Sequence, residues 1–193
     1  YNTQPAILTA STACCRVLAQ EGLTPDIAAG HSLGEYSALV AAGALTFADA
    51  VRTVRLRGQF MQEAMPLGEG GMAAILGLAE DKIKEICAQI SAQGGTVQAV
   101  NFNCPGQIVI AGSTKAVEEA AAAMKEAGAK RAILLHVSAP FHSTLMEPAA
   151  KRLAEVLDDI TISDAKIPVV ANVNGQIETS AADIKANLVK QAA

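Results

Sequence analysis

The stretch from residue 72 to residue 137 alternates between short apolar runs and helical patterns in an order that few folds share. Apolar runs cover 72–78, 97–103, 107–111 and 132–137, and helix-forming sequence covers 80–92 and 114–127. A Cys-Pro-Gly turn at 104–106 separates the second and third apolar runs. The resulting order, β-α-β-β-α-β, is typical of a ferredoxin-like unit. We therefore predict an inserted ferredoxin-like small subdomain over 72–137.

The flanking sequence, residues 1–71 and 138–193, predicts a larger α/β subdomain that carries catalysis. Helical patterns cover 5–20, 35–42, 46–65, 146–158 and a last stretch from about 181, with apolar strands at 27–29 and 167–173. Thr46 and Asp49 have the spacing of a capping box at the start of the 46–65 helix. We expect a hydrolase-like parallel sheet. Because helix-like sequence begins and ends the chain, we also expect truncation at both ends.

Composition and charge narrow the classes of protein that fit this chain. Hydrophobic residues make up 51% and aromatic residues 3%, a balance typical of helices packed closely on a sheet. The net charge of -4, without a dominant cluster of Lys and Arg, argues against binding to nucleic acid. No apolar run is long enough to cross a bilayer, and residues 1–4 lack the pattern of a secretory signal. We expect a soluble cytoplasmic protein with no membrane contact.

The cysteines lack the spacing of a metal site. Cys14, Cys15, Cys87 and Cys104 show neither C-x-x-C pairs nor partner histidines, and adjacent cysteines rarely form a structural disulfide. The alternatives are metal ligation or catalysis. We interpret all four as reduced core or surface thiols, and we expect no metal and no bound cofactor.

Residues 30–34, Gly-His-Ser-Leu-Gly, fit the G-x-S-x-G motif. The apolar run before them and the helical pattern after them supply the strand-to-helix context that this motif requires. Ser32 is then a nucleophile exposed at a tight turn, and the N–H of Leu33 points toward a developing oxyanion. The alternative is a Gly-rich loop that arose by chance.

A serine hydroxyl needs a base to remove its proton, and histidine is the usual base in enzymes. His142 lies in a loop between a strand and a helix, where catalytic groups tend to occur. His31 adjoins Ser32 in the turn and suits a structural role, whereas His136 lies within an apolar strand pattern. His142 is therefore the candidate base.

An α/β-hydrolase would place an acidic third member between Ser32 and His142 in the sequence. The carboxylates found there lie on predicted helices of the small subdomain, where they are expected to face solvent: Asp81, Glu118, Glu119 and Glu126. Their placement weakens an esterase interpretation without excluding it.

Four segments, in the same order along the chain, resemble segments of the malonyl-CoA:acyl carrier protein transacylases. They are GHSLGEYSAL at 30–39, RGQFMQEA at 57–64, NFNCPGQ at 101–107 and FHSTLM at 141–146. The likeness extends over nearly the whole chain. It is greater to the stand-alone bacterial enzymes of fatty-acid synthesis than to the acyltransferase domains of polyketide synthases.

The resemblance implies a role for each residue that matches the family's motifs. Ser32 is the acylated nucleophile, His142 the general base, and the Leu33 N–H one of the oxyanion donors. Arg57 pairs with the free carboxylate of the malonyl group. The backbone carbonyl of Gln191 orients the histidine, which accounts for the missing acidic member.

The resemblance further implies substrates and a partner. Malonyl-CoA is the substrate, coenzyme A a product and acyl carrier protein the acceptor, in a ping-pong reaction through a malonyl-Ser32 ester. Asn101 matches an asparagine that lines the cleft from the small subdomain. The family's second oxyanion donor comes from a Gly-Gln-Gly segment that this chain does not contain. Since such carriers are acidic, a basic patch is expected among Lys125, Lys130, Arg131, Lys151 and Arg152.

Two other classes of function fit part of the sequence. A serine esterase or thioesterase of the α/β-hydrolase class shares G-x-S-x-G and a late histidine, but it does not account for Arg57 or for the inserted subdomain. A noncatalytic docking domain of a synthase would gain no malonyl adduct when mixed with malonyl-CoA.

Overall fold

The structure is a computed structural model that describes residues 2–66, 68–135 and 139–193. The chain divides into two compact units, the first made of Tyr1–Phe60 and Ala149–Ala192 and the second of Met61–Pro148. The second unit extends beyond the predicted 72–137 on both sides. Both units combine helices with strands, so the predicted α/β class is confirmed.

The helices and strands follow one another closely in the predicted order. They are α1 (Thr3–Gln20), β1 (Ala28–Ala29), α2 (Leu33–Ala41), α3 (Phe47–Glu63), β2 (Gly70–Leu76), α4 (Glu80–Ala92), β3 (Val97–Cys104), β4 (Gln107–Ser113), α5 (Thr114–Glu126), β5 (Arg131–Leu134), a 3₁₀ turn (Thr144–Met146), α6 (Glu147–Asp158), β6 (Val169–Val170), β7 (Ile177–Glu178) and α7 (Ala181–Gln191). Of the last predicted strand of the small subdomain, 132–137, residues 136 and 137 lie outside the described residues.

The sheet of the first unit is mixed, whereas the sequence predicts a parallel one. β1 pairs in parallel with β6, and β6 pairs in antiparallel fashion with β7. Of the predicted strand 167–173, Val169–Val170 joins the sheet, and a tight turn at Gly175, with φ of 68°, brings β7 back beside it. The sequence pattern misses β7 because two residues are too few to show a period.

The second unit carries an antiparallel four-stranded sheet in the order β3-β4-β2-β5. Alternate residues of β2 point to opposite faces, as expected for a strand. Ala73 and Ile75 belong to the core formed with α4 and α5, and Met72 and Ala74 belong to a second apolar cluster. Leu135 and Phe141 pack against that second cluster, so these two residues lie over the sheet face opposite the helices.

Helix α3 begins with the predicted capping pair, in a modified form. The Thr46 hydroxyl oxygen accepts from the Asp49 N–H at 3.1 Å, which satisfies one of the unpaired donors at the helix start. The Asp49 carboxylate accepts from the Thr46 hydroxyl at 2.7 Å rather than from the backbone N–H that a capping box uses. Among all the described helices, none combines the length and apolarity needed to cross a membrane.

Candidate active site

Ser32 occupies a strained turn between β1 and α2, as the motif predicts. Its φ of 52° and ψ of -112° place a non-glycine residue in a region that L-amino acids rarely adopt. Such strain is characteristic of functional sites. The turn needs Gly30, because a Cβ there would lie 1.9 Å from the carbonyl carbon of Gly34 and 2.3 Å from the Glu35 nitrogen. At Gly34 a Cβ would meet nothing within 4 Å.

Two amide side chains from distant parts of the first unit hold the turn at residues 30–34, which we call the elbow. The Ser32 N–H donates to Asn172 Oδ1 at 2.9 Å, and the Ser32 carbonyl accepts from Gln191 Nε2 at 2.9 Å. Leu33 is the first residue of α2, and the leading N–H groups of a helix have no partner within it. The positive end of α2 therefore lies beside the Ser32 hydroxyl, where negative charge is favoured.

Arg57 reaches the same hydroxyl from α3. Its Nη2 donates to Ser32 Oγ at 3.0 Å and to Gln191 Oε1 at 2.9 Å, and its Nη1 donates to Gln4 Oε1 at 2.7 Å. Since a guanidinium only donates, the Gln191 amide must turn its oxygen to Arg57 and its nitrogen to the Ser32 carbonyl. The guanidinium is thereby fixed within hydrogen-bond distance of the candidate nucleophile.

The guanidinium of Arg57 is a buried cation whose hydrogen-bond acceptors are neutral. Arg57 is 2% exposed, and within the described part of the chain it forms no ion pair. Its Nε also lacks a partner among the described residues. Burial lowers the pKa of Arg57, but guanidinium stays charged in proteins. A buried cation of this kind is suited to an anionic group of a ligand, because such a group would neutralise it.

The neighbouring arginines of α3 have a different environment. Arg52 and Arg55 are exposed, whereas Thr53, Val54 and Arg57 are buried. Residues 53, 54 and 57 share one side of the helix because positions three and four apart lie on the same face. The helix period therefore selects Arg57 for the buried site.

Glu35 is a site residue that the sequence analysis misses. It lies in the first turn of α2, is fully buried, and accepts a hydrogen bond from Gln191 Nε2. Burial raises the pKa of the Glu35 carboxyl to about 7, the Gln191 hydrogen bond opposes this rise, and the charge of Glu178 adds to it. With a pKa of about 7, this carboxyl is about half ionised at neutral pH, so it compensates the charge of Arg57 only in part. The available signal was an acidic residue in the otherwise apolar sequence of α2.

His142 lies in the second unit, in the turn between β5 and α6, with a φ of 62°. In the described part of the chain, Ser32 and His142 are the two non-glycine residues with positive φ. The Ser143 hydroxyl donates to the Pro140 carbonyl at 2.7 Å, and Pro140 packs where a Cβ on Gly70 would lie 2.3 Å from its Cδ. The half-buried His142 side chain thus sits on a tightly held turn.

The other candidates are dispersed. Asn101 is half-buried on β3, opposite Val109, beside an irregularity in the strand pairing. His31 is exposed, and His136 lies outside the described residues. Cys87 is buried, and the other three cysteines are exposed. The described residues contain no cluster of His, Cys, Asp and Glu that could hold a metal ion.

Two cavities of the first unit differ in their relation to the elbow. A cavity of about 350 Å³ lies against it and is lined by residues that include Gly30, His31 and Asn172. A larger cavity of about 730 Å³ is lined mainly by apolar residues of α1, α2 and the start of α3. The residues that line this larger cavity include none of the candidate site residues, so the volume of a cavity does not identify the catalytic site.

Comparisons with known proteins identify the family of the chain. The acyl transferase domain family matches residues 1–191. The chain is 58% identical over 191 residues to the malonyl CoA-acyl carrier protein transacylase of Bacillus subtilis (strain 168), which covers 99% of this chain and 60% of that protein.

Solved structures of malonyltransferases are also similar to this chain. The fold is similar to an acyl-carrier-protein S-malonyltransferase from Burkholderia pseudomallei 1710b, with a TM-score of 0.96, 54% identity, and coverage of 100% of this chain and 62% of that one. It is also similar to a malonyl-transacylase in complex with a type II PKS acyl-carrier protein, with a TM-score of 0.95, 53% identity, and coverage of 98% and 62%.

An α/β fold with a serine at a strand-to-helix elbow defines a class of acyl-transferring and hydrolytic proteins. Within that class, the chain belongs to the acyl transferase domain family. It spans 60% of the length of the Bacillus subtilis relative.

Proposed function

We propose that this chain carries the acylation site of a malonyl-CoA:acyl carrier protein transacylase, in which Ser32 is the residue that becomes acylated. The observation that carries the proposal is the buried Arg57 cation, which donates to Ser32 Oγ and has no ion pair in the described chain. Malonyl-CoA brings a reactive thioester and a free carboxylate together. The nucleophile and the cation match these two groups.

The acylation step follows from the chemistry of the named groups. Ser32 Oγ attacks the thioester carbonyl while His142 accepts its proton, so that an O–C bond forms and the C–S bond then breaks. The Leu33 N–H, at the positive end of α2, stabilises the oxyanion between these events. Protonated His142 returns the proton to the leaving thiolate of coenzyme A, and a malonyl-Ser32 ester remains.

The second half of the reaction reverses the first with another thiol. The phosphopantetheine thiol of acyl carrier protein gives its proton to His142 and attacks the ester, which restores the Ser32 hydroxyl. Each thiol acts while the other is absent, so the reaction is ping-pong. The malonyl-transacylase solved with an acyl-carrier protein supports the choice of acceptor.

Arg57 determines which acyl group is accepted. A guanidinium binds a carboxylate through two parallel charge-assisted hydrogen bonds, which an acetyl group cannot form. Three neutral oxygens already orient the Arg57 side chain, those of Gln4, Ser32 and Gln191. Pre-orientation reduces the entropy lost when the carboxylate binds.

Gln191 and Asn101 have supporting roles in this proposal. The backbone carbonyl of Gln191 orients His142, and its side chain holds Arg57 and the elbow. Asn101, half-buried on β3, contacts the bound substrate. The support for these roles is the resemblance together with the hydrogen bonds that the Gln191 side chain makes.

The proposal extends to the organisation of the chain. Residues 72–137 form a ferredoxin-like subdomain inserted in the larger hydrolase-like subdomain, 1–71 and 138–193. The strand order β3-β4-β2-β5, with α4 and α5 on one face, supports the first part. The parallel pairing of β1 with β6 supports the second.

Exposed basic residues supply the surface for an acidic carrier. Lys125, Lys130 and Arg131 follow one another closely around the end of α5, and Lys151 and Arg152 lie on α6. The Arg152 guanidinium stands 3.9 Å from the centre of the Phe60 ring, an arrangement that restrains its side chain. Complementary charge of this kind mainly speeds association.

The test of the nucleophile and base is covalent labelling. The full chain is mixed with malonyl-CoA, and the adduct is mapped by mass spectrometry. Ser32→Ala should abolish it, and His142→Ala should slow its formation by about 100-fold, the scale of a lost general base. An adduct that persists in Ser32→Ala contradicts the nucleophile. If His136→Ala is labelled slowly while His142→Ala is labelled at the normal rate, His136 rather than His142 is the base.

The substrate assignment has a separate test at Arg57. Arg57→Ala should lower malonyl labelling by about 100-fold and spare or raise acetyl labelling, because the carboxylate loses a shielded charge-assisted pair. Arg52→Ala and Arg55→Ala are matched controls on the exposed side of α3. An unchanged malonyl-to-acetyl ratio in Arg57→Ala means that Arg57 does not select the malonyl group. Efficient hydrolysis of nitrophenyl acetate instead favours an esterase.

A further inference from the structure

Two buried carboxyl groups are held by side chains from neighbouring turns of α7. Glu35 on α2 is 0% exposed and Glu178 on β7 is 3% exposed, and the side chains that donate to them, Gln191 and Asn187, lie four residues apart on one face of α7. Glu178 Oε2 accepts from Asn187 Nδ2 at 2.7 Å, and Glu35 Oε2 accepts from Gln191 Nε2. The remaining oxygen of each carboxyl, Oε1, has no donor among the described residues.

A buried carboxylate oxygen without a donor is costly, and two such oxygens on adjacent acids are costlier. A single proton on either acid removes both costs at once, because it turns one oxygen into a donor for the other. Adjacent buried carboxyls commonly share a proton in this way, since like charges at short distance cannot both form. One shared proton would therefore satisfy both Oε1 atoms.

The surrounding groups shift the pKa of Glu35 in both directions. Burial raises the pKa of Glu35 to about 7, the hydrogen bonds from Gln191 and from the Asn172 backbone oppose this rise, and the charge of Glu178 adds to it. Arg57 on α3 attracts the ionised form of Glu35, and the buried phenol of Tyr36 lies beside both. Together these influences leave the Glu35 carboxyl with a pKa of about 7.

We propose that Glu35 and Glu178 share one proton between their Oε1 atoms, and that this pair positions Gln191 against Ser32 and Arg57. Gln191 has one amide to serve three groups: its oxygen accepts from Arg57, and its nitrogen donates to Glu35 and to the Ser32 carbonyl. Glu35 fixes the direction of that nitrogen. The pair is a positioning element, and its effect on acyl transfer rests on the proposed function.

The pair also makes stability depend on pH in a defined direction. The pKa of Glu35 is raised from 4.5 to about 7 in the folded chain, so the folded state binds more protons between these values than the unfolded state. The stabilisation is fully present below about pH 4.5 and is lost as pH rises through about 7. Glu35→Gln should remove this loss between about pH 5 and about pH 8, because the amide is neutral and keeps both hydrogen-bond directions.

The first measurement follows the carboxyl carbons of glutamate by ¹³C NMR as the full chain is titrated. One glutamate should titrate near pH 7; its signal should be absent in Glu35→Gln and should move to lower pH in Glu178→Gln, where an amide donor replaces a negative charge. Glu155→Gln, which alters an exposed acid on α6, is the matched control and should leave that titration in place. The proposal is overturned if every glutamate titrates below about pH 6 in the unsubstituted chain.

The second measurement separates this proposal from the proposed function. Malonyl labelling of Glu35→Ala, which leaves Gln191 and Glu178 without a partner, should fall about 10-fold or more, and the conservative variant Glu35→Gln should recover most of that loss. Equal labelling by Glu35→Ala and the unsubstituted chain overturns the positioning role, and Glu178→Ala repeats the test if Glu35→Ala fails to fold. If no variant is labelled but a glutamate titrates near pH 7, the proposed function fails and the shared proton stands.

Discussion

Ser32 and His142 adopt similar positive φ angles, but different kinds of contact hold them. The Ser32 elbow depends on directional hydrogen bonds: its N–H donates to Asn172 and its carbonyl accepts from Gln191, both from positions more than a hundred residues away in sequence. A positive φ in a non-glycine residue costs on the order of 1–3 kcal/mol. At the elbow, this cost is offset largely by hydrogen bonds, which depend on the position of each donor and acceptor atom.

Packing contributes to holding the turn that carries His142. Phe141 lies against the apolar cluster of the sheet, and Pro140 fills the space that the absent side chain of Gly70 leaves. Within this turn, the Ser143 hydroxyl donates to the backbone carbonyl of Pro140, three residues earlier in the sequence. Weak packing contacts of this kind therefore act together with the hydrogen bonds of the turn.

The difference predicts unequal sensitivity to the loss of single polar atoms. A buried donor or acceptor that loses its partner keeps its full desolvation cost. Apolar packing divides its contribution among many contacts of about 0.1–0.2 kcal/mol each. The elbow should therefore tolerate less change in polar atoms than the turn, while steric changes should harm both.

The largest effects are expected at Gly30, within the Ser32 elbow, and at Gly70, which lies against Pro140 of the His142 turn. Gly30→Ala should destabilise the chain by about 3 kcal/mol or more and abolish malonyl labelling, because its Cβ would meet backbone atoms that cannot move aside. Gly70→Ala should cost about 1–3 kcal/mol, because its Cβ would overlap the Pro140 ring. Urea unfolding measures both changes.

Gly34→Ala is the matched control for Gly30→Ala within the same motif. Its Cβ meets nothing within 4 Å, and alanine favours the helix by up to about 1 kcal/mol. Stability should therefore stay the same or rise. If Gly34→Ala is as harmful as Gly30→Ala, the steric explanation of the elbow is wrong.

A smaller effect is expected from Asn172→Ala, which tests the directional contacts directly. The substitution leaves the half-buried Ser32 N–H without its acceptor and should cost about 1–3 kcal/mol, with malonyl labelling slowed by about 10-fold. Asn174→Ala removes a bond of the same length, 2.9 Å to the Gln176 N–H, at an exposed position of the same hairpin. Urea unfolding should distinguish the two variants. Equal losses would show that hairpin geometry, rather than the bond to Ser32, matters.

The sequence predicts elements that show their own period or motif. The β-α-β-β-α-β order of the second unit and the strand-to-helix position of Ser32 follow from local patterns, and both are present in the structure. Arg57 could be singled out, but its hydrogen bonds to Ser32 and Gln191 could not be derived. They depend on how α3 and α7 pack, and no local pattern encodes that packing.

Glu35 and Asn172 illustrate what local patterns leave out. An acidic residue in the first turn of a helix is ordinarily explained by the helix dipole, so Glu35 gives no strong signal of burial. Asn172 precedes an Asn-Gly turn and suits a loop on composition alone. Their roles arise from partners more than a hundred residues away, as the bond from Ser32 to Asn172 shows.

The smallest effect is expected from Gln98→Ala, which removes a polar contact of the His142 turn. Gln98 Oε1 accepts from the Thr144 N–H at 2.9 Å, and Thr144 is exposed, so water can replace the lost partner. The cost should be about 0.5–1 kcal/mol, with malonyl labelling changed by less than about 3-fold. Hydrogen exchange at the Thr144 amide should nevertheless accelerate, and Gln89→Ala, which loses an exposed bond to Glu85 on α4, should leave that amide unchanged. If Gln98→Ala slows labelling as much as Asn172→Ala, the turn depends on directional bonds no less than the elbow, because removing one acceptor would then have the same consequence at both sites.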